Sequence, residues 1–319
     1  MRDLAIGVDV GGTKTAAGLV DADGRVLDRK RAPTPAQEPS RVVQTIADLV
    51  GALRGATAVS VSSVGIAIPG QYDAATGTFL RIANLALRGF PFRDRLTESL
   101  ADTLTGRLTI ENDTNAAALG EWFGGSGRGC RDFAYVAIGT GIGAGIIVDG
   151  RLLRGAHGSA GEIGHTVVKK DGPRCPCGNR GCLELYASGG ALTVRATAVA
   201  REEPDSLLAR LGQNGRSINA GDLFAAADQG DEASRRVVDE AVHYLAVGIN
   251  NIVELFDPEV VSIGGGMSQV GESLFGRLRE ALRRQRPGSP DVAPRIVSAV
   301  LGEDAGIVGA ASAARLQPT

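Results

Sequence analysis

Three times this chain runs an apolar, strand-like segment directly into glycines: LAIGVDVGG at 4–12, FAYVAIGTG at 133–141 and VVSIGGG at 260–266. Such a junction constrains the fold, because glycines at the end of a strand let backbone amides approach whatever lies beyond the sheet edge. The first run continues into TAAGLVDADGRVL and the second into IGAGIIVDGRLL, each reading as strand, Asp-Gly turn, strand. Residues 12–27 and 139–153 therefore echo one another with one residue of slippage. Either a lobe is duplicated or two glycine-rich hairpins simply look alike; both readings stand at this point. At 319 residues the chain suits two α/β lobes, each with its own core and with a cleft between them.

Between these junctions the pattern turns helical. SRVVQTIADLVGALRG has apolar residues at helical spacing behind a serine that could cap it, and LTIENDTNAAALGEW reads as a short strand turning into an alanine-rich helix. From about Ser188 to Leu255 the chain is mostly helical. ESLFGRLREALRRQ forms an amphipathic helix, a proline-bearing linker follows, and EDAGIVGAASAARL closes the chain as a helix. The composition is 22% charged with a formal net charge of -2, which gives no electrostatic reason to expect nucleic acid as a partner. No apolar run approaches the ~20 residues of a membrane helix, and the N-terminus enters a strand pattern at once. A cytoplasmic protein is expected, with no membrane partner.

Two segments carry candidate chemistry on the strand side. In DVGGTK, Gly11 and Gly12 bring amide hydrogens to bear, Thr13 adds a hydroxyl, Lys14 a positive charge, and Asp9 a carboxylate for a hydrated Mg2+. This is a phosphate turn or, more plainly, a tight hairpin with a surface lysine. Gly139, Thr140 and Gly141 offer a second such turn, and Gly264, Gly265 and Gly266 a third. Asp113 stands where a strand passes into a helix. It is either an N-cap or a general base that takes the proton of a sugar hydroxyl during attack on a phosphoryl group, kept ionised by the helix terminus. Asn112 and Asn115 beside it orient hydroxyls or satisfy the turn.

The other segment is HTVVKKDGPRCPCGNRGCLE at 165–184, which holds three of the four cysteines. In a reducing compartment such a cluster reads as a metal site or a redox motif rather than a disulfide framework. His165, Cys175, Cys177 and Cys182 supply one imidazole and three thiolates, a full tetrahedral set for structural zinc with no open position for catalytic water. The spacing C-x-C is not that of thioredoxin-like redox pairs. Cys130 stands apart as an ordinary small residue. Glu162 and Glu184 flank the cluster, so a bound metal would hold two carboxylates and an imidazole in one small volume, the groups a polyhydroxylated ligand needs; each glutamate alone could equally be a solvated loop residue.

Taken together, DVGGTK, END at 111–113, IGTGIGAGI leading to GSAGEIGH at 158–165, and CPCGNRGC followed by Leu183 and Glu184 resemble the ROK family of sugar kinases and repressors. The resemblance spans almost the whole chain. It implies a two-lobed, actin-like sugar-kinase fold of ribonuclease-H-like topology with substrates in the cleft. It implies a small lobe of residues 1–114, completed by the C-terminal helix at 305–319, and a large lobe of 115–304 carrying the zinc-bound loop. By the same resemblance Asp113 is the catalytic base. Gly70, Asn84, Asn112, Asp113, Glu162, His165 and Glu184 contact the sugar. Asp9, Gly11, Gly12, Thr13, Lys14, Gly139, Thr140, Gly141, Gly264, Gly265 and Gly266 serve the nucleotide.

The family's repressors place a DNA-binding module ahead of the sugar-binding body, whereas here the first phosphate turn begins at Asp9, so a kinase is expected. It would take ATP, Mg2+ and a structural Zn2+, and assemble as a homodimer or homotetramer. Glucose is the expected substrate. N-acetylmannosamine, N-acetylglucosamine and fructose are the alternatives, because Leu183 stands where many of the family's glucokinases carry tryptophan.

Overall fold

The structure is a computed structural model that describes residues 4–57, 59, 61–82, 84–104, 106–286 and 294–316. The chain opens with strands β1 (Leu4–Val10), β2 (Lys14–Val20) and β3 (Val26–Pro33), helix α1 (Pro39–Gly55), strands β4 (Val61–Ile68), β5 (Gln71–Asp73) and β6 (Thr78–Arg81), helix α2 (Phe92–Ser99), strand β7 (Arg107–Asn112) and helix α3 (Asp113–Gly124). It continues through β8 (Phe133–Ile138), β9 (Ile142–Val148) and β10 (Arg151–Leu152) into helices α4 (Glu184–Ala187), α5 (Gly189–Glu202), α6 (Leu207–Gly212), α7 (Ala220–Asp228) and α8 (Glu232–Phe256). Strand β11 (Val260–Gly264), helix α9 (Glu272–Gln285), strand β12 (Arg295–Ser298) and helix α10 (Ala305–Arg315) complete it. The proline-bearing linker expected after α9 falls at 287–293, outside the described residues. Among the described residues, no helix is long and apolar enough to cross a membrane.

By contacts the chain divides into two compact units, one of residues 1–131, 145–160 and 300–319, the other of 132–144 and 161–299, with the division falling inside β9. The first unit is built on the sheet β3-β2-β1-β4-β7, in which β1, β4 and β7 run parallel and the β1-β2-β3 meander is antiparallel. Its strands read as near-continuous apolar runs where they are covered on both faces: Leu4, Ile6, Val8 and Val10 pack with Val64, Ile66, Ile68 and the apolar stripe of α1. That helix begins at Pro39, not behind a capping serine. Proline at the first helical position is already set to the helical φ, so Ser40 lies inside the helix and the cap position is Glu38, which makes no side-chain cap bond.

The other face of the first sheet is covered by α10. Every residue from Ala305 to Ala314 is buried, and the fit depends on bare backbone. A Cβ on Gly7 would stand 1.8 Å from the Ile307 carbonyl oxygen, one on Gly65 1.8 Å from that of Ala310, and one on Gly309 1.5 Å from that of Ala116 in α3. Only glycine permits such an approach.

The second sheet has the order β10-β9-β8-β11-β12, with β8, β11 and β12 parallel. Written from the first strand of each, both sheets have the order 3-2-1-4-5. The echo between 12–27 and 139–153 is therefore one of topology and not only of hairpin composition. β11 is buried throughout, and the 25-residue α8 is the longest helix described. It ends at Asp257 in the left-handed region, with φ of 44°.

Candidate active site

In parallel sheets, ligand-binding groups gather beyond the carboxyl ends of the strands. In the first unit the register sets Asp9 opposite Ala67, and Ile68 opposite Asn112. The turn after β1, Gly70 after β4 and Asp113 after β7 thus leave the same edge. The turn is closed by the Gly11 N–H donating to the Lys14 carbonyl at 2.9 Å. A Cβ on Gly12 would stand 3.1 Å from Asn84 Cβ, so Asn84 lies directly against the glycine turn. The Thr13 carbonyl accepts from the Thr34 N–H at 3.0 Å, and Lys14 Nζ pairs with Glu303 at 3.2 Å.

Asp9 and Asp113 share an electrostatic environment. Burial, then the negative charge of Asp113, pushes the Asp9 carboxyl up to about 6, with Lys14 pulling it down and Glu303 adding to the rise. Burial likewise raises Asp113, against hydrogen bonds from Thr114 and Asn112 that favour its ionised form.

The question of whether Asp113 is merely a cap is answered by its neighbour. Asn112 is the N-cap of α3, its Oδ1 accepting from the N–H groups of Thr114 at 2.9 Å and Asn115 at 3.1 Å. Asp113 is the first residue inside the helix and accepts from the Thr114 N–H at 2.8 Å. Asn112 also donates through Nδ2 to the Gly70 carbonyl at 3.3 Å, which links two residues expected near a sugar.

Sequence reasoning passed over what holds this cap. Glu111 is buried; its Oε1 accepts from the Asn112 N–H at 3.0 Å and from Asn115 Nδ2 at 3.1 Å, while its Oε2 accepts from Arg154 Nε at 2.8 Å. The acidic residue of END was visible, but its partner lies 43 positions away, in a loop with no motif of its own.

In the second unit, the strand register again aligns two glycine turns, since Gly264 at the end of β11 pairs with Ala137 near the end of β8. Gly139 and Thr140 of one turn and Gly266 of the other line a cavity of about 870 Å³, together with Gly189, Gly190, Thr193, Gly221, Phe224 and Asp228. Gly265 holds φ of 77°, and a Cβ there would stand 2.5 Å from the Ile138 carbonyl oxygen. Gly189 and Gly190 open α5, whose Ser188 cap accepts from the Ala191 N–H at 3.1 Å. This helix N-terminus borders the cavity and is tied to the first of the two turns by the Gly189 N–H, which donates to the Gly139 carbonyl at 2.8 Å. A serine followed by two glycines ahead of a periodic run was a legible signal for it. Glu184 accepts from the Ile142 N–H at 3.0 Å, tying α4 to the turn after β8.

Glu162 precedes a short 3-10 turn, Ile163–His165, and GEIGH is laid on β9 through the Ala144 N–H, which donates to the Gly161 carbonyl at 2.9 Å. His165, Cys175, Cys177 and Cys182 converge, with one ligand atom from each lying within 4.8 Å of all the others. His165 Nδ1 stands 3.7 Å from Cys175 Sγ, and Cys177 Sγ stands 3.6 Å from Cys182 Sγ. Nitrogen and sulfur ligands about 2.0–2.3 Å from one tetrahedral zinc stand about 3.5–3.8 Å apart, so these edges fit that ion. Burial, followed by the neighbouring thiols, pushes the Cys182 thiol up to about 12. A buried thiol of this kind gives up its proton to a metal rather than to water. The loop has support besides these ligands: Lys169 Nζ lies 5.9 Å from the ring centroids of both Tyr186 and Tyr244. Cys130 is not among the four.

Leu183 does not line a surface. It is fully buried, and a Cβ on Gly248 of α8 would stand 2.4 Å from its Cδ2.

Two 3-2-1-4-5 sheets with glycine turns at their carboxyl edges define an actin-like sugar-kinase fold, and solved structures agree. The ROK hexokinase from Thermus thermophilus superposes with a TM-score of 0.85 at 35% identity, covering 99% of this chain and 98% of that one. The ROK family glucokinase from Streptomyces griseus, solved in complex with glucose and AMPPNP, gives 0.80 at 37% identity over 98% and 99%. In sequence, the glucokinase of Thermotoga maritima is 38% identical over 310 residues, 96% of each chain. The ROK family model matches residues 5–316. The chain belongs to the ROK family.

Proposed function

We infer that this protein transfers the γ-phosphoryl group of ATP to the 6-hydroxyl of glucose, releasing glucose 6-phosphate and ADP. The observation that carries the reading is the placement of Asp113: a partly buried carboxylate inside a helix whose cap is made by Asn112 instead. It is left to accept a proton from the attacking hydroxyl, while the helix N-terminus favours its ionised form. Similarity to glucokinases over nearly the whole length supports glucose as that substrate.

Asn84, Asn112, Glu162, His165 and Glu184 hold the sugar hydroxyls, with Gly70 near the sugar. Gly12, Thr13 and Lys14 take phosphate oxygens at the first sheet edge, in the turn that Gly11 closes. Gly139, Thr140, Gly141 and Gly264 to Gly266 take the nucleotide at the second, where the cavity beside α5 is of a size for it. Mg2+, when bound, neutralises charge on the transferring phosphates, and Asp9 would hold its water shell. His165, Cys175, Cys177 and Cys182 would hold zinc, which when bound fixes the loop carrying Glu162 and Glu184. With Nδ1 turned to the thiols, His165 keeps Nε2 for a sugar hydroxyl. A reducing, cytoplasmic setting keeps those three thiols available, and the family resemblance supports an assembly of two or four copies.

The deciding experiment is ADP release by zinc-replete protein with ATP and Mg2+, across glucose, mannose, fructose, N-acetylglucosamine and N-acetylmannosamine at equal concentration. A clear preference for glucose is expected. Preference for an acetamido sugar or fructose would move the substrate while keeping the base; no turnover on any of the five would remove the kinase reading.

A further inference from the structure

One fully buried carboxylate has no part in the reaction described above. Glu121, on α3, is 0% exposed and has no ion-pair partner among the described residues. Its two oxygens take four donors. Oε2 accepts from the Ser126 N–H at 2.9 Å and the Ser126 hydroxyl at 2.8 Å, and Oε1 from the N–H groups of Val300 at 2.9 Å and Leu301 at 2.7 Å. An ionised carboxylate has about four acceptor sites and no donor, so it is the side chain that satisfies this set completely. An amide of the same size turns an NH2 group toward one pair of donors.

We propose that Glu121 is a positioning residue for the phosphate-binding edge: it fixes the start of α10 along the axis of α3, and so fixes the residues of that turn against Asp9 and Lys14. Leu301 leads directly into the 3-10 turn Gly302–Asp304. Within that turn Glu303 pairs with Lys14 and Asp304 with Arg29. Gly306, in the first turn of α10, lies so close to Asp9 that a Cβ there would stand 2.8 Å from the carboxyl.

The contact between α3 and α10 does not supply an axial stop by itself. It rests on Gly120 against the Ala305 carbonyl and Gly309 against that of Ala116, with Val308 over Gly124, so few side chains are available to lodge in a groove. Glu121 supplies the stop, eight residues from Asp113 on the same helix. One rigid element therefore carries the proposed base at its start and the anchor of the phosphate edge two turns on.

This rests on the reading of Asp9 to Lys14 as the phosphate turn of a kinase, and the experiment separates the two. KM for MgATP, KM for glucose, kcat and thermal midpoint are measured for the wild type, Glu121→Gln and Gly302→Ala. The last change loads the same joint from the other side, because Gly302 holds φ of 55° in otherwise open space. Both variants are expected to raise KM for MgATP about tenfold while KM for glucose stays within about twofold. A fall in thermal midpoint and active fraction with both KM values unchanged, or an equal rise in both, would overturn the proposal and leave Glu121 as a structural residue only. Should Glu121→Gln not fold, Gly302→Ala decides by the same split. A wild type that turns over no sugar would instead overturn the kinase reading, and this proposal with it.

Discussion

The two sheets share one strand order and put glycine turns at the same edge, yet they equip that edge differently. The first carries charge: Asp9 lies near the end of β1, Lys14 at the start of β2 and Asp113 just after β7, and burial keeps the two carboxyl groups above their ordinary range. The turns of the second carry no ionisable side chain at all. They offer backbone amides, a helix N-terminus and a cavity, with a loop pinned by thiols and an imidazole nearby in sequence. One topology is thus equipped in two ways. On the proposed function, the first edge would move a proton and polarise phosphate, and the second would hold the nucleotide and the sugar.

The sharpest way to break that contrast is Asp113→Ala. Turnover is expected to fall by about three orders of magnitude or more with glucose binding largely kept, measured as ADP release and by calorimetric titration of glucose. Near-normal turnover would take the base away from the first edge. On the second side, Cys177→Ala is expected to lose zinc and to raise KM for glucose by about tenfold or more while leaving kcat within a few-fold, read from metal content and steady-state kinetics. A zinc-free variant with normal sugar affinity would uncouple the loop from the site.

A third test uses the raised carboxyls. Because burial holds the folded value of Asp9 above the ordinary carboxylate range, at about 6, its contribution to stability is present at acid pH and is lost as pH rises from that range through about 6. Asp9→Asn is therefore expected to unfold at higher urea than the wild type at pH 8, with the gap roughly halved at pH 5, while its activity is impaired at both. In the wild type, kcat/KM should fall on the acid side above the ordinary carboxylate range, since both groups act when ionised. The smallest effect is expected from Leu183→Trp. Leu183 is packed against Gly248, so the larger ring should lower stability by about 1–3 kcal/mol without improving selection of glucose. Sharpened glucose preference would show that this position acts on the site after all.

Local signals were the legible ones. The glycine turns, the four-ligand set and the helix opening at Asp113 each lie within a short window, where spacing reports on chemistry directly. What the sequence left open was settled by a neighbour, as when Asn112 rather than Asp113 proved to cap α3. What it hid was long-range. Glu121 reads as one more charged residue on an alanine-rich helix until Val300 and Leu301, about 180 positions on, are brought to its carboxylate. Arg154 gives no hint of Glu111, and Leu183 looks like a ligand-side substitution until α8 is seen to bury it. Side-chain burial and backbone donors from distant segments have no period and no motif, so no window of sequence contains them.

The buried α10 also makes the first unit discontinuous in sequence. Its sheet begins at Leu4, yet one apolar face of that sheet is covered by residues 305–314, so this unit is closed by a segment that follows the whole of the other one in the chain.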